Sequence, residues 1–326
     1  MMTPDFRSGF SEKLSLFVDQ KLALGFDYNS PIRYLLRFDE MCHERYPAEC
    51  QLTREVCMAW ATKGESEKNN SFRNRISPVR EFARFLARVG EQAYLIPIDL
   101  VKKTQPAAPY IFTQGEVFEI WKEYDALSNG SHRQIRNIVL PALVRILYCC
   151  GLRPIEACRL VPDDVDLDTG RLHIRESKGH KDRIVMMARG VTDYMGEYDR
   201  KASRALPNRR WFFPNSSGNI CDNRWLSSIF RQVSDKICIG AVCGNKPTLY
   251  SFRHTFATHR LYDWLRRGDD LNTKLPYLSA YMGHTQLSDT YYYIHLVPEQ
   301  LRIIAGVDFS CHEKFLPEVE CDERFL

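Results

Sequence analysis

The sequence lacks any apolar run approaching the roughly 20 residues that span a bilayer, and its first residues, Met-Met-Thr-Pro-Asp-Phe-Arg, hold no apolar signal core. A soluble, unexported protein working in the cytoplasm is expected. Eleven cysteines are present, but the number is odd and no C-x-x-C pair occurs. This argues against a disulfide framework and a structural zinc site, and it fits reduced thiols. Cys149 and Cys150 fall in an apolar helical run, where small core residues are expected. There is no G-x-x-x-x-G-K-[ST] phosphate loop and no evident carboxylate cluster for two-metal chemistry, so neither ATP nor a metal nor any other cofactor is expected. A strong charge imbalance is missing too. Forty-five Lys and Arg against 41 Asp and Glu leave a net charge of +4, too little by itself to specify a polyanionic partner. The placement of charge has to carry that case.

At 326 residues the chain is long enough for about two domains, each closing its own core. From about Ser8 to Gly90 the apolar residues recur at helical steps, as in Leu14, Phe17, Val18 and Leu22, then Val79, Phe82, Ala83 and Leu86. Residues 1–90 therefore read as an all-helical domain. Arg80, Arg84 and Arg88 lie four apart on its last helix, with Arg73 and Arg75 just before, a stripe suited to a phosphate backbone. Residues 91–110, with Pro97, Lys102, Lys103, Pro106 and Pro109, read as a linker. A helix then begins at the capping box Thr113-Gln114-Gly115-Glu116, with Phe112 and Val117 placed as a hydrophobic staple. Ile138 to Cys150 is a further helical run, in which Pro141 is tolerable near a first turn or at a kink. Asp168-Thr169-Gly170 and Lys178-Gly179-His180-Lys181 read as turns around short strands at Leu172, Ile174 and Ile184 to Met187. The expected fold is mainly α with a small antiparallel β-sheet in the second domain, residues 111–310, followed by a charged tail, 311–326.

Metal-free phosphodiester cleavage needs a nucleophile, cations for charge growing on the non-bridging oxygens, and an acid for the departing alkoxide. Arginine suits the second role because its planar fork donates two hydrogen bonds and stays charged. Arg153 in Gly151-Leu152-Arg153-Pro154-Ile155-Glu156 and Arg253 in Tyr250-Ser251-Phe252-Arg253-His254 are the candidate clamps, each at the mouth of a helix. Gly283-His284 is followed by Tyr291-Tyr292-Tyr293, which supplies candidate nucleophiles. With Ser177-Lys178-Gly179-His180-Lys181-Asp182-Arg183, these segments resemble, in order, the motif set of the tyrosine recombinases, or phage integrases, spread over about half the chain.

The resemblance implies a two-domain DNA clamp, with residues 1–90 as the DNA-contacting first domain and 111–310 as the catalytic one. Tyr293, nine residues after His284, is implied as the nucleophile that forms a 3′-phosphotyrosyl link, leaving Tyr291 and Tyr292 structural. Arg153 and Arg253 bind the phosphate, Glu156 holds the first arginine, and Lys178 protonates the leaving 5′-hydroxyl, with Lys181 on the same turn contacting the backbone. The family's histidine three residues before the second arginine is here Tyr250, a hydrogen-bond donor but a poor base at neutral pH. His254, His259 and His180 are expected to be structural or solvated. Site-specific recombination of double-stranded DNA follows, with integration or excision of a mobile element, a tetramer on synapsed DNA and accessory proteins. Relaxation of DNA by a type IB topoisomerase, or binding without cleavage on the same fold, are the alternatives.

Overall fold

The computed structural model describes residues 4–100, 108–127, 134–176, 181–240 and 246–296. Lys178 and His180, the last residues of the expected second domain and the tail 311–326 lie outside these residues. The chain divides into two compact units, 1–106 and 107–326. Among the described residues no helix is long and apolar enough to cross a membrane, and no cluster of His, Cys, Asp and Glu could hold a metal ion.

The first unit is built from α1 (Ser11–Ala23), α2 (Asn29–Arg45), α3 (Arg54–Trp60) and α4 (Asn69–Arg88). Their apolar faces meet in an aromatic core. Phe82 lies within 5.7 Å of Phe17 and 6.4 Å of Phe10, centroid to centroid, while Phe38 meets Trp60 edge-on at 5.5 Å. Such geometries add to the area buried. The N-terminal segment is tied to α2 through the buried Asp39 carboxylate, which accepts from the backbone N–H groups of Arg7 and Ser8 at 2.7 and 3.0 Å.

Two expectations shift here. The first residues of the expected linker belong to this unit: Tyr94 N donates to Leu52 O at 2.7 Å, and Ile96 is fully buried. Helix α4 also starts at Asn69, earlier than the arginine spacing implied, so Arg73 and Arg75 lie inside it. At about 100° per residue, Arg75 sits roughly 200° from Arg73 and turns inward. Its guanidinium bonds Glu67 at 2.9 and 2.8 Å, reaches the carbonyls of Trp60 and Thr62, and lies 4.9 Å from the Trp60 ring. Arg75 therefore serves this unit's structure and does not join the expected phosphate-facing stripe.

The second unit runs through α5 (Gln114–Ala126), α6 (Gln134–Cys150), α7 (Pro154–Arg159), β1 (Val165–Asp166), β2 (Arg171–Ile174), β3 (Arg183–Met186), α8 (Arg189–Ala205), α9 (Asn223–Lys236), α10 (Ser251–Arg267), α11 (Leu271–Met282) and α12 (Ser288–Tyr291), ending in a 3₁₀ turn, Tyr292–Leu296. The capping box forms as the sequence predicts: Glu116 N donates to Thr113 Oγ1 at 3.2 Å and Thr113 N to Glu116 Oε2 at 2.7 Å. Phe112 and Val117 are buried in one core. Helix α6 is apolar around much of its circumference and packs against α5, α7, α8 and α10, the central position expected of such a helix. Pro141 lies within it and is buried. Cys150 is core, whereas Cys149 is half-buried with its thiol pushed up to about 11 by burial. The strands pair antiparallel in the order β1-β2-β3, with Leu172 opposite Val185 and Ile174 opposite Arg183. Alternation sends Leu172, Ile174 and Val185 inward and leaves Ile184 and Met186 exposed.

Truncating Phe82→Ala removes the ring that joins α1 to α4. We expect a loss of about 3–5 kcal/mol in the first unit, read as faster amide hydrogen exchange in α1, α2 and α4.

Candidate functional site

Two left-handed glycines shape the site. Gly151 follows α6 at φ +59°, and a Cβ there would lie 2.4 Å from the Phe256 ring. Gly283 ends α11 at φ +66° as its left-handed cap, where a Cβ would come within 3.0 Å of Arg183. Only glycine takes both that φ and that approach cheaply. Each glycine turns carbonyl groups toward an arginine. Arg253 Nη1 donates to Gly151 O at 2.7 Å and its Nη2 to Met282 O, while Arg153 Nη2 donates to Gly283 O at 3.2 Å. The two guanidinium groups thus hold successive carbonyls at the end of α11.

Arg153 caps α7 at its N-terminus, with Pro154 beginning the helix. Its Nη1 donates to Glu156 Oε1 at 2.6 Å, and its backbone N–H to Oε2 at 2.9 Å. Burial opposes the charge of Arg153, but the bond to Glu156 and its negative charge raise the pKa overall. Arg253, in the first turn of α10, has no exposed surface. Burial, then the charge of Arg153, lowers its pKa, and its Nε finds no hydrogen-bond partner among the described residues.

Tyr293 is 3% exposed, in the 3₁₀ turn that packs on α10, whereas Tyr291 and Tyr292 are only half-buried. Its ring stacks on His284 at 6.0 Å and 17° and meets His254 at 5.5 Å. Burial raises its pKa, while the charges of Arg253 and Arg153 pull the other way. His284 Nδ1 pairs with Thr290 Oγ1 at 2.7 Å. Burial and the surrounding arginines Arg253, Arg153 and Arg183 bring the His284 pKa down to about 3; burial and Arg253 bring His254 to about 4. Tyr250 is 39% exposed, its ring 5.0 Å from His254, and it lies near enough to Arg153 to favour that guanidinium's charged form.

Of the sequence-predicted residues, Arg153, Glu156, Arg253, His284, Tyr250 and Tyr293 are therefore brought together. Lys181 is exposed, two residues before β3. His259 is half-buried, and its Nδ1 pairs with Tyr148 Oη at 2.9 Å. In the first unit Arg73, Arg80 and Arg84 line one groove with Asn70, Asn74 and Ser77, whereas Arg88 lines a neighbouring cavity with Phe17, Lys21 and Tyr28. Arg80 Nε is buried without a hydrogen-bond partner among the described residues.

The sequence had given no role to Arg183, which donates to both Glu156 oxygens at 2.9 and 2.8 Å and to Tyr281 O at 2.8 Å. Nor had it given one to Thr290, or to the ring of His254 beside the phenol. The available signal was the pair of glycines next to the motif residues, since each marks a carbonyl turned out of a helix end.

Residues 120–300 match the phage integrase family, more than half of the chain. The chain belongs to that family. It is a tyrosine recombinase, an enzyme that cleaves and rejoins DNA strands. Similar proteins include y4rB of Sinorhizobium fredii, named by class as an integrase/recombinase, at 27% identity over 90% of this chain and 95% of its own. The tyrosine recombinase XerD of Bifidobacterium longum is 28% identical over 79% of this chain and 81% of its own. Among solved structures, XerH bound to its palindromic difH substrate in a post-cleavage complex superposes with a TM-score of 0.62, at 18% identity and covering 92% and 84% of the two chains. The Tn1549 transposon integrase in complex with transposon right end DNA gives 0.61 at 15% identity, covering 85% and 93%. At those identities the likeness is one of fold.

Both site histidines hold pKa values below the ordinary value of about 6.5. Between that value and about 4 the unfolded chain binds protons that the folded site refuses, so stability is retained above the window and lost as pH falls through it. Ring NMR should show neither His254 nor His284 titrating above about pH 5; an inflection of either near the ordinary value would contradict the closed site.

Proposed function

We propose that Tyr293 attacks the scissile phosphate, forming a 3′-phosphotyrosyl link while the 5′-oxygen departs with a proton. The supporting observation is the pair of arginines held on Met282 O and Gly283 O beside Tyr293, the buried tyrosine of the triplet. Arg153 and Arg253 take the non-bridging oxygens, and their charges offset the phenolate that attack requires. His284 and Tyr250 donate hydrogen bonds to the same phosphate. With pKa values of about 3 and about 4, His284 and His254 are weak bases, so stabilisation of phenolate by the guanidinium groups outweighs base strength. Lys178 is the proposed acid for the leaving oxygen. Because Arg253 and Tyr293 are shut from solvent here, the segment 288–296 has to move aside as a phosphate enters.

The reverse step, attack by a 5′-hydroxyl of a partner strand, conserves the phosphodiester bond energy. Arg73, Arg80 and Arg84 contact the phosphate backbone, with Arg88 at the groove's margin and Lys181 just before β3, so affinity falls steeply with salt. Exchange between two duplexes calls for a tetramer, with accessory proteins setting direction, and it serves integration or excision of a mobile element. DNA relaxation of the topoisomerase kind is not favoured, since the aligned relatives are named as recombinases.

A nicked duplex carrying the site, recovered by binding selection from random sequence, traps the covalent adduct. Tyr293→Phe should reduce the adduct to background, Tyr291→Phe and Tyr292→Phe should preserve it, and Arg153→Ala should slow it by about 10²–10³-fold. Undiminished adduct from Tyr293→Phe would refute the assignment.

A further inference from the structure

Arg183 opens β3, far from either catalytic arginine in sequence, yet its side chain is 9% exposed and packed onto Glu156, the carboxylate that holds Arg153. Its Nη1 and Nη2 form a two-bond fork on the Glu156 carboxylate at 2.9 and 2.8 Å, and Nε donates to Tyr281 O at 2.8 Å. Glu156 holds Arg153 with the same two oxygens, at 2.6 Å through the guanidinium and 2.9 Å through the backbone. The chain at Gly283 passes so close above Arg183 that a methyl group there would come within 3.0 Å of it.

We propose that Arg183 is a positioning residue, joining Glu156 to the end of α11 so that Arg153 and Arg253 converge on one phosphate. Both contacts matter for that convergence. Through Glu156, Arg183 sets the orientation of Arg153; through Tyr281 O, it fixes the helix end whose next carbonyls receive Arg253 and Arg153. A bidentate fork on a buried carboxylate defines direction in a way that a point charge does not. Arg183 also changes the charge balance. Arg153 and Glu156 alone would form a neutral pair, whereas two guanidinium groups sharing one carboxylate keep a net positive charge facing the site. Removing Arg183 gives Glu156 wholly to Arg153 and weakens the attraction for phosphate.

This inference rests on the reading of Arg153 as a phosphate clamp and Tyr293 as nucleophile. It is tested by adduct formation on two nicked substrates, one with the natural scissile phosphate and one with a methylphosphonate, in which a methyl group replaces a charged oxygen. Without that charge the clamp matters less. Arg183→Gln should slow cleavage of the phosphate by about 10²-fold, the scale of a small misplacement at a reacting centre. On methylphosphonate its deficit should shrink markedly, in parallel with that of Arg153→Ala. Arg183→Lys keeps charge and bulk, which protects the fold, but lacks the fork, and it should show the same substrate-dependent deficit. Equal deficits of both Arg183 variants on the two substrates, while Arg153→Ala improves on methylphosphonate, would mean a general packing role and overturn the proposal alone. Cleavage of the phosphate by both variants at the unsubstituted rate would overturn it too. If Arg153→Ala itself shows no phosphate-specific deficit, the clamp reading falls and the positioning role with it.

Discussion

Two adjacent backbone carbonyls, Met282 O and Gly283 O, each accept a hydrogen bond from a different arginine, and the site depends on that sharing. Arg253 comes from α10 and Arg153 from the start of α7, a hundred residues apart in the chain. Helix α11 ends where it does because Gly283 adopts a left-handed φ, and its carbonyls turn toward the guanidinium groups instead of continuing a helix. The same glycine leads directly to His284, so one helix end sets two arginines and a histidine.

Burying such charge is expensive unless it is hydrogen-bonded and balanced. Arg253 has no exposed surface, and the protein answers with the carbonyls of Gly151 and Met282 and with the nearby Glu156 carboxylate. The balance is incomplete. Arg153 and Arg183 both bond that one carboxylate while Arg253 only feels its charge, Arg253 Nε has no hydrogen-bond partner among the described residues, and the two nearby histidines are held neutral. A pocket with this excess is stabilised by an incoming anion more than by a neutral ligand. The same excess favours the ionised form of Tyr293 against the burial that opposes it.

Much of this was legible because it was local. The capping box at Thr113, the apolar steps of α1 and α4, and the strand alternation at Leu172 and Ile174 depend on neighbours within a few residues, which sequence spacing displays directly. The glycines beside Arg153 and His284 were equally visible. Arg75 was misplaced because the arginine spacing did not reveal that α4 already begins at Asn69, and a helical phase turned that side chain onto Trp60 and Glu67. The two-residue strand β1 is too short to show a period. Arg183 was missed for a different reason: its partners, Glu156 and Tyr281, are 27 and 98 residues away, and no local pattern encodes a contact that arises only when β3, α7 and α11 pack together.

The central claim is that distant arginines converge on one phosphorus atom beside one phenol. A crystal structure of the protein with orthovanadate and a DNA strand ending at the cleavage position would test it most directly, since five-coordinate vanadium mimics phosphate in transfer. The account predicts vanadium bonded to Tyr293 Oη, with the forks of Arg153 and Arg253 on its equatorial oxygens and the bonds to Met282 O and Gly283 O retained. Vanadium bonded to Tyr291 or Tyr292, or either arginine turned away from it, would contradict the account.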